Sequence, residues 1–175
     1  MAKKKGFEES KPKKPTVLEF EDTANAPAEW ITINYKGKNP VLVYTVVPRA
    51  IVDILKISSA NLFEDHIKWD FTGDNKMFYG IWRGRDNNDR WTDTWVRVVI
   101  QGVMEPDKTG WVTVYIKATI KTKYTYANFI QRNLWWIFNR WFYYKARRAY
   151  LDLAKDRAYM IRDEIRAALG ILPEE

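Results

Sequence analysis

The sequence contains no cysteine, a single histidine and no long apolar run. Without cysteine the chain cannot form disulfides, zinc–thiolate sites, iron–sulfur clusters or thiol nucleophiles. Its apolar runs fall short of the roughly 18–20 residues that cross a bilayer, and its N-terminus lacks the apolar core of a signal peptide. These absences favour a cytoplasmic location, and the lack of cysteine also suits life at high temperature.

Recognisable catalytic and metal-binding motifs are also missing. His66 follows two acids, an arrangement more typical of a surface histidine than of a general base. The acidic run 86–89 lacks the central glycine and terminal glutamate of a calcium loop. No Gly-x-Ser-x-Gly elbow or phosphate-binding glycine loop occurs. We therefore predict no catalytic residue, metal or cofactor, and keep an unrecognised activity as a minor alternative.

Aromatic residues and positive charge are plentiful by contrast. Nine Trp, ten Tyr and eight Phe exceed what a core of this size needs, so some rings should face a partner. The net charge is +7, and its excess lies in two segments. The cations of those segments are Lys3, Lys4, Lys5, Lys11, Lys13 and Lys14, and Arg132, Arg140, Lys145, Arg147 and Arg148. We predict that these residues bind an anionic partner.

The hydrophobic pattern predicts an α+β domain. We expect a basic tail over 1–16, a domain over 17–145, and the distal part of a long C-terminal helix over 146–175. Apolar alternation predicts strands at 29–35, 41–47, 66–71, 76–83, 91–104 and 111–121, with short helices from Pro48 onward. The predicted fold is thus a curved antiparallel sheet of about six strands, short helices after the second strand, and a long C-terminal helix packed on the sheet.

The C-terminal helical pattern runs from about 126 to 169 and carries two apolar stripes. A continuous helix of that length would extend about 66 Å, more than one small sheet can cover. Ile130, Leu134, Ile137 and Trp141 share one face, which we expect to pack on the sheet. The second stripe is expected to form an interface with another molecule: Phe129, Trp136, Tyr143, Tyr150, Leu151, Ile161 and Ile165. A break near 144–148, folding the distal half back on the domain, is the alternative.

The order of elements resembles the helix-grip arrangement of the START-like superfamily. The resemblance covers roughly residues 41–145 and rests on a strand (VLVYTVV), helices beginning at Pro48, antiparallel strands and a terminal helix. It implies a curved sheet that wraps the helix over a cavity able to hold an apolar small molecule. Trp69, Phe78, Trp82 and Trp141 are the candidate lining residues.

Three functions follow from these patterns. The first is a non-enzymatic protein that binds RNA or a ribonucleoprotein such as the ribosome, because lysine-rich segments and aromatic–arginine helices neutralise phosphates and stack on bases. The second is a carrier of an apolar small molecule or lipid, and the third is a self-assembling homo-oligomer. An anionic membrane surface would suit the same segments and is a less favoured partner.

Overall fold

A computed structural model describes residues 15–171 and shows an α+β fold with two layers. Six antiparallel strands form one sheet: β1 (Thr16–Thr23), β2 (Ile31–Lys38), β3 (Leu62–Asp70), β4 (Lys76–Asn87), β5 (Thr92–Met104) and β6 (Thr109–Tyr126). The helices are α1 (Val43–Leu55), α2 (Phe129–Phe138) and α3 (Tyr144–Ala168), with a π-helical turn over Asn139–Tyr143. The predicted fold class is confirmed.

The strand β6 organises the sheet, whose order is β1-β6-β5-β4-β3 with β2 also on β6. Its 18 residues allow β1 and β2 to pair with successive halves of the same edge, Thr16 opposite Tyr126 and Ile31 opposite Ile116. Even-numbered β6 residues from Val112 to Ile120 are at most 1% exposed, as the alternating sequence predicts. We call their side of the sheet the inner face, and the other side the outer face.

Two elements differ from the prediction. Residues 41–47 are helical, not a strand, because Val43, Val47, Ile51 and Leu55 recur every four residues and together bury one side of α1. Pro48 therefore lies inside the helix instead of opening it. The strand β1, which the sequence did not predict, supplies the sixth strand. The main basis for the helix-grip resemblance is lost with this change, and the resemblance itself stays a hypothesis.

The helices α1 and α3 cover the inner face. Ala154 and Ala158 are small, which lets α3 approach closely to α1 and β6, the elements it contacts most. Ile161 and Ile165 add fully buried side chains to the same core as Val114. Residues 146–171 are therefore part of the core that residues 17–145 build. No helix within residues 15–171 is both long enough and apolar enough to cross a membrane.

Candidate interaction surface

The most deeply buried side chain of α2, Trp135, holds the helix to the sheet. Trp135 is 3% exposed and its ring stacks between Tyr124 of β6 and Phe20 of β1, with centroids 5.0 and 5.4 Å away. Asn128 caps the helix by accepting a hydrogen bond from the Gln131 backbone N–H. The start of α2 is thus fixed at the edge of the sheet, and the side of α2 opposite Trp135 points away from it.

A second attachment lies one π-helical turn further on. The Tyr143 hydroxyl donates to Asp89 at 2.8 Å and lies 2.5 Å from the hydroxyl of Thr92. The Asp89 carboxylate also accepts the backbone N–H groups of Trp91 and Thr92. Burial raises the pKa of Tyr143 well above its ordinary value, and the Asp89 carboxylate raises it further. The phenol therefore stays protonated and connects the helix to the β4–β5 turn.

The π-helical turn decides which face of the helix meets the sheet. In a regular α-helix, Trp135 and Tyr143 are eight residues apart and point about 80° away from each other. A π turn accommodates one extra residue, so the two side chains lie on the same side and both are buried. The regular period used in the sequence prediction does not hold across residues 139–143.

This change of phase exposes the stripe that was expected to pack on the sheet. Ile130, Leu134, Ile137 and Trp141 are 67%, 60%, 55% and 72% exposed, so that prediction is wrong. Phe129, Phe138, Phe142 and Tyr144 of the same helical segment are also exposed, and we call these eight side chains together the helix patch. Monomeric proteins rarely expose an apolar area of this kind unless it binds something.

The predicted interface stripe is divided by the same change of phase. Phe129 and Trp136 stay exposed, but Tyr143 is buried. Tyr150 and Leu151 are half-buried against the core. Ile161 and Ile165 are fully buried in the monomer, so the prediction that they form an interface is wrong: the sheet of the same chain covers them. The helix is continuous through 144–148, without the alternative break.

Several cations of residues 129–148 lack an acidic partner. No Asp or Glu occurs between Asp107 and Asp152. Among the described residues Arg132, Arg140 and Lys145 form no ion pair, whereas Arg147 pairs with Asp22 and Arg148 lies 3.8 Å from Asp152. Arg140 also lines a shallow apolar groove with Trp136, Ile137, Trp141 and Tyr144.

The first described strand, which follows the predicted lysine-rich tail in the sequence, begins near this surface. Lys3, Lys4, Lys5, Lys11, Lys13 and Lys14 lie outside the described residues. The first residue of β1, Thr16, pairs with Tyr126, three residues before α2 begins. The first described strand therefore begins beside the start of α2.

Three of the four residues proposed to line a cavity pack in the core, and the fourth lies elsewhere. Phe78 and Trp82 are buried in the core, where Trp82 packs over Gly80 and Phe78 over Gly102. The Trp69 ring contacts Phe78 at a centroid distance of 5.7 Å. Trp141, in contrast, belongs to the exposed helix patch. These four side chains therefore do not enclose a common space.

Sequence reasoning missed a second basic surface, on the outer face. Arg83, Arg97 and Lys117 stand directly opposite one another on β4, β5 and β6. Single cations in three separate strands give no local charge run, and only the strand register aligns them. The available signal was their common position on the outward side of the apolar alternation.

Comparisons with known proteins give no family. No family model and no curated protein matches the chain. A solved structure of a Staphylococcus aureus protein of unknown function is similar at 14% identity and a TM-score of 0.28, covering 90% of this chain and 96% of the other. An uncharacterised protein from Rhizobium leguminosarum is similar at 9% identity and a TM-score of 0.24, covering 87% and 98%. Likenesses at these TM-scores support no argument about function.

Proposed function

We propose that this chain is a non-enzymatic binding protein that attaches to an anionic membrane surface through the helix patch. One observation carries the proposal: the stripe of Ile130, Leu134, Ile137 and Trp141 is exposed on a helix. Three cations of the same segment, Arg132, Arg140 and Lys145, form no ion pair within residues 15–171. Helices that lie in the headgroup layer combine these features, with apolar side chains inserted and Arg or Lys at the phosphates. The cytoplasmic leaflet, which is rich in anionic lipid, is the surface we assign.

The aliphatic side chains of the stripe favour a membrane over RNA as the partner. Arg132, Arg140 and tryptophan rings would suit either partner. Ile130, Leu134 and Ile137, however, gain free energy only in an apolar environment, which acyl chains offer and an RNA surface does not. The RNA or ribonucleoprotein partner expected from the sequence remains an alternative that the test below distinguishes.

The positive charge near the helix patch favours an anionic membrane over a second copy of the chain as the partner. A symmetric dimer through the helix patch would place Arg132, Arg140 and Lys145 of one copy beside those of the other. Like charges across an interface oppose association, and the lysine-rich tail would add to this repulsion. An anionic surface is instead attracted by both basic segments.

The size of the patch fits reversible attachment. If each of the four stripe residues buries roughly 100 Å² of apolar surface, the gross gain is on the order of 10 kcal/mol. Binding also costs about 4–15 kcal/mol of free energy, because the protein loses translational and rotational freedom. The apolar contacts alone are therefore marginal, and the attraction of the cations to anionic lipid, worth about 1 kcal/mol each, decides whether the protein binds.

Vesicle co-sedimentation tests the proposal. We expect the protein to bind vesicles containing phosphatidylserine and to bind neutral phosphatidylcholine vesicles at least tenfold more weakly. Ile137→Glu should weaken binding at least tenfold. Met160→Glu is the matched control, because Met160 lies on α3 outside the patch and is 56% exposed, against 55% for Ile137. It should leave binding unchanged.

Each other outcome overturns the membrane assignment. No binding to anionic vesicles at low salt excludes it. Tight binding of a single-stranded RNA oligonucleotide together with no vesicle binding indicates the RNA alternative. Oligomers in light scattering that Ile137→Glu dissolves indicate a second copy as the partner of the patch. Equal losses in Ile137→Glu and Met160→Glu would mean that added negative charge alone, and not the patch, controls binding.

A further inference from the structure

Three cations form a row across the outer face. Arg83, Arg97 and Lys117 are register partners on adjacent strands. Side chains directly opposite each other on antiparallel strands have Cβ atoms about 5 Å apart, and like charges at this spacing destabilise a sheet. A row of this kind on a solvated sheet needs a compensating negative charge.

The two cations at the ends of the row have acidic partners, but the central one has none among the described residues. Arg83 lies 2.5 Å from Asp65 of β3, and Lys117 pairs with Glu29. Arg97 is exposed, and no residue between 15 and 171 forms an ion pair with it. Of the other cations on this side, Arg85, Lys121 and Lys123 pair with Asp93, Glu21 and Glu19. Further along the same face, Lys36, Lys38 and Lys68 form no ion pair within residues 15–171. Within the cluster of Arg83, Arg97, Lys117 and Lys121, Arg97 alone has no acidic partner among the described residues.

Aromatic rings contact the two cations at the ends of the row. The Arg83 guanidinium lies 5.4 Å from the Trp95 ring centroid, and the Lys117 ammonium lies 5.6 Å from that of Trp30. Cation–π contacts of this kind fix a cation without neutralising it. Together with Arg97 these residues line a groove of about 180 Å³, whose one acid is Glu21.

We infer that this groove binds the phosphate group of a ligand, with Arg97 as its central contact. A guanidinium presents paired N–H donors that match two phosphate oxygens. Arg83 and Lys117 stand on either side and can donate further hydrogen bonds beside their pairs with Asp65 and Glu29. The groove is smaller than the roughly 300–1,000 Å³ of sites that enclose a whole small molecule. It therefore suits a phosphate group whose attached ring or chain extends along the outer face.

This inference is independent of the helix patch. The groove is formed by strands β1, β4, β5 and β6 and by Trp30, and none of its lining residues is in the patch. Two sources offer the same chemistry: a free nucleotide or polyphosphate, and the backbone of a single-stranded nucleic acid. Titrations with ATP and with a short oligouridylate distinguish them, and binding of either probe at this site supports the inference.

Calorimetric titration of the full chain at low ionic strength is the test. We expect Arg97→Gln to weaken binding of the better probe at least tenfold. Arg90→Gln is the matched control, because it removes the same charge at an exposed position outside the groove, and it should bind normally. Ile137→Glu should also bind the probe normally. Failure of the phosphate-site inference can then be distinguished from failure of the membrane proposal.

The melting temperature gives a second readout, which distinguishes ligand binding by Arg97 from a purely structural role of this residue. Removing the central charge relieves repulsion, so Arg97→Gln without ligand should melt at the same temperature as the unmodified protein or higher. Added ATP should raise the melting temperature of the unmodified protein and not that of Arg97→Gln. A lower melting temperature for Arg97→Gln, no binding of either probe, or equal losses in Arg97→Gln and Arg90→Gln would overturn the inference.

Discussion

The Tyr143 hydroxyl offers a direct test of how the C-terminal helix is attached. Tyr143→Phe removes the hydroxyl that donates to Asp89 and contacts Thr92, but it keeps the ring that packs against Trp91 and Phe138. No cavity is created, so the cost is that of the hydrogen bonds. A bond to a charged acceptor contributes about 1.5–3 kcal/mol. Because Asp89 keeps two backbone donors, we expect a loss of about 2 kcal/mol at pH 8.

The pH dependence of this loss has a definite sign. The folded-state pKa of Tyr143 is raised above the value of about 10 for a free tyrosine, so the folded protein holds this proton when the unfolded chain releases it. Stability from this group is complete below pH 10 and declines as the pH rises further. At pH 11 the unmodified protein should lose about 1.4 kcal/mol that Tyr143→Phe cannot lose. The difference between the two proteins should therefore shrink to below about 1 kcal/mol.

Urea denaturation at pH 8 and pH 11 measures both effects. Tyr144→Phe is the matched control, because the neighbouring Tyr144 is exposed on the helix patch, and it should match the unmodified protein at both pH values. If Tyr143→Phe is as stable as the unmodified protein at pH 8, or if the difference between them is constant up to pH 11, the attachment described here is wrong.

Two further substitution pairs test the packing. Trp135→Ala should cost about 3–5 kcal/mol in thermal unfolding, and Trp141→Ala under about 0.5 kcal/mol because its ring is in solvent; the reverse order would contradict the orientation of α2. Gly102→Ala should cost about 1–3 kcal/mol, because its methyl group would lie 2.5 Å from the carbonyl oxygen of Trp111. Gly73→Ala meets nothing within 4 Å and should be neutral, and equal stability of the two alanine variants would refute the close strand packing.

Local sequence patterns predicted most of the sheet. In β6 every second residue from Val112 to Ile120 is apolar and buried, because a strand with one covered face needs this alternation. The turn at 72–75 and the ends of β5 were predictable for similar local reasons. The prediction failed at 41–47, where β-branched residues suggested a strand. The four-residue spacing of Val43, Val47, Ile51 and Leu55 was present in the sequence, and burial of that face outweighed the preference of the individual residues.

The candidate surfaces depend on information that no local pattern carries. The sequence shows the cations of residues 129–148, the absence of Asp and Glu from that segment, and the excess of aromatic rings. Which of those rings face solvent was not predictable, because the π-helical turn shifts the phase of the helix within five residues. Regular periodicity therefore assigned Ile130 and Trp141 to the sheet and Trp136 to the same face as Tyr143.

The sequence by itself determined the fold class, the two basic segments and the alternation of the last strand, since these depend on composition and on neighbours along the chain. Only the tertiary structure decided that the helix patch faces outward and that Arg83, Arg97 and Lys117 form one row. The physical reason is the same for both: helix phase and strand register are set by contacts between residues far apart in the chain, such as Tyr143 with Asp89 and Val98 with Ile116.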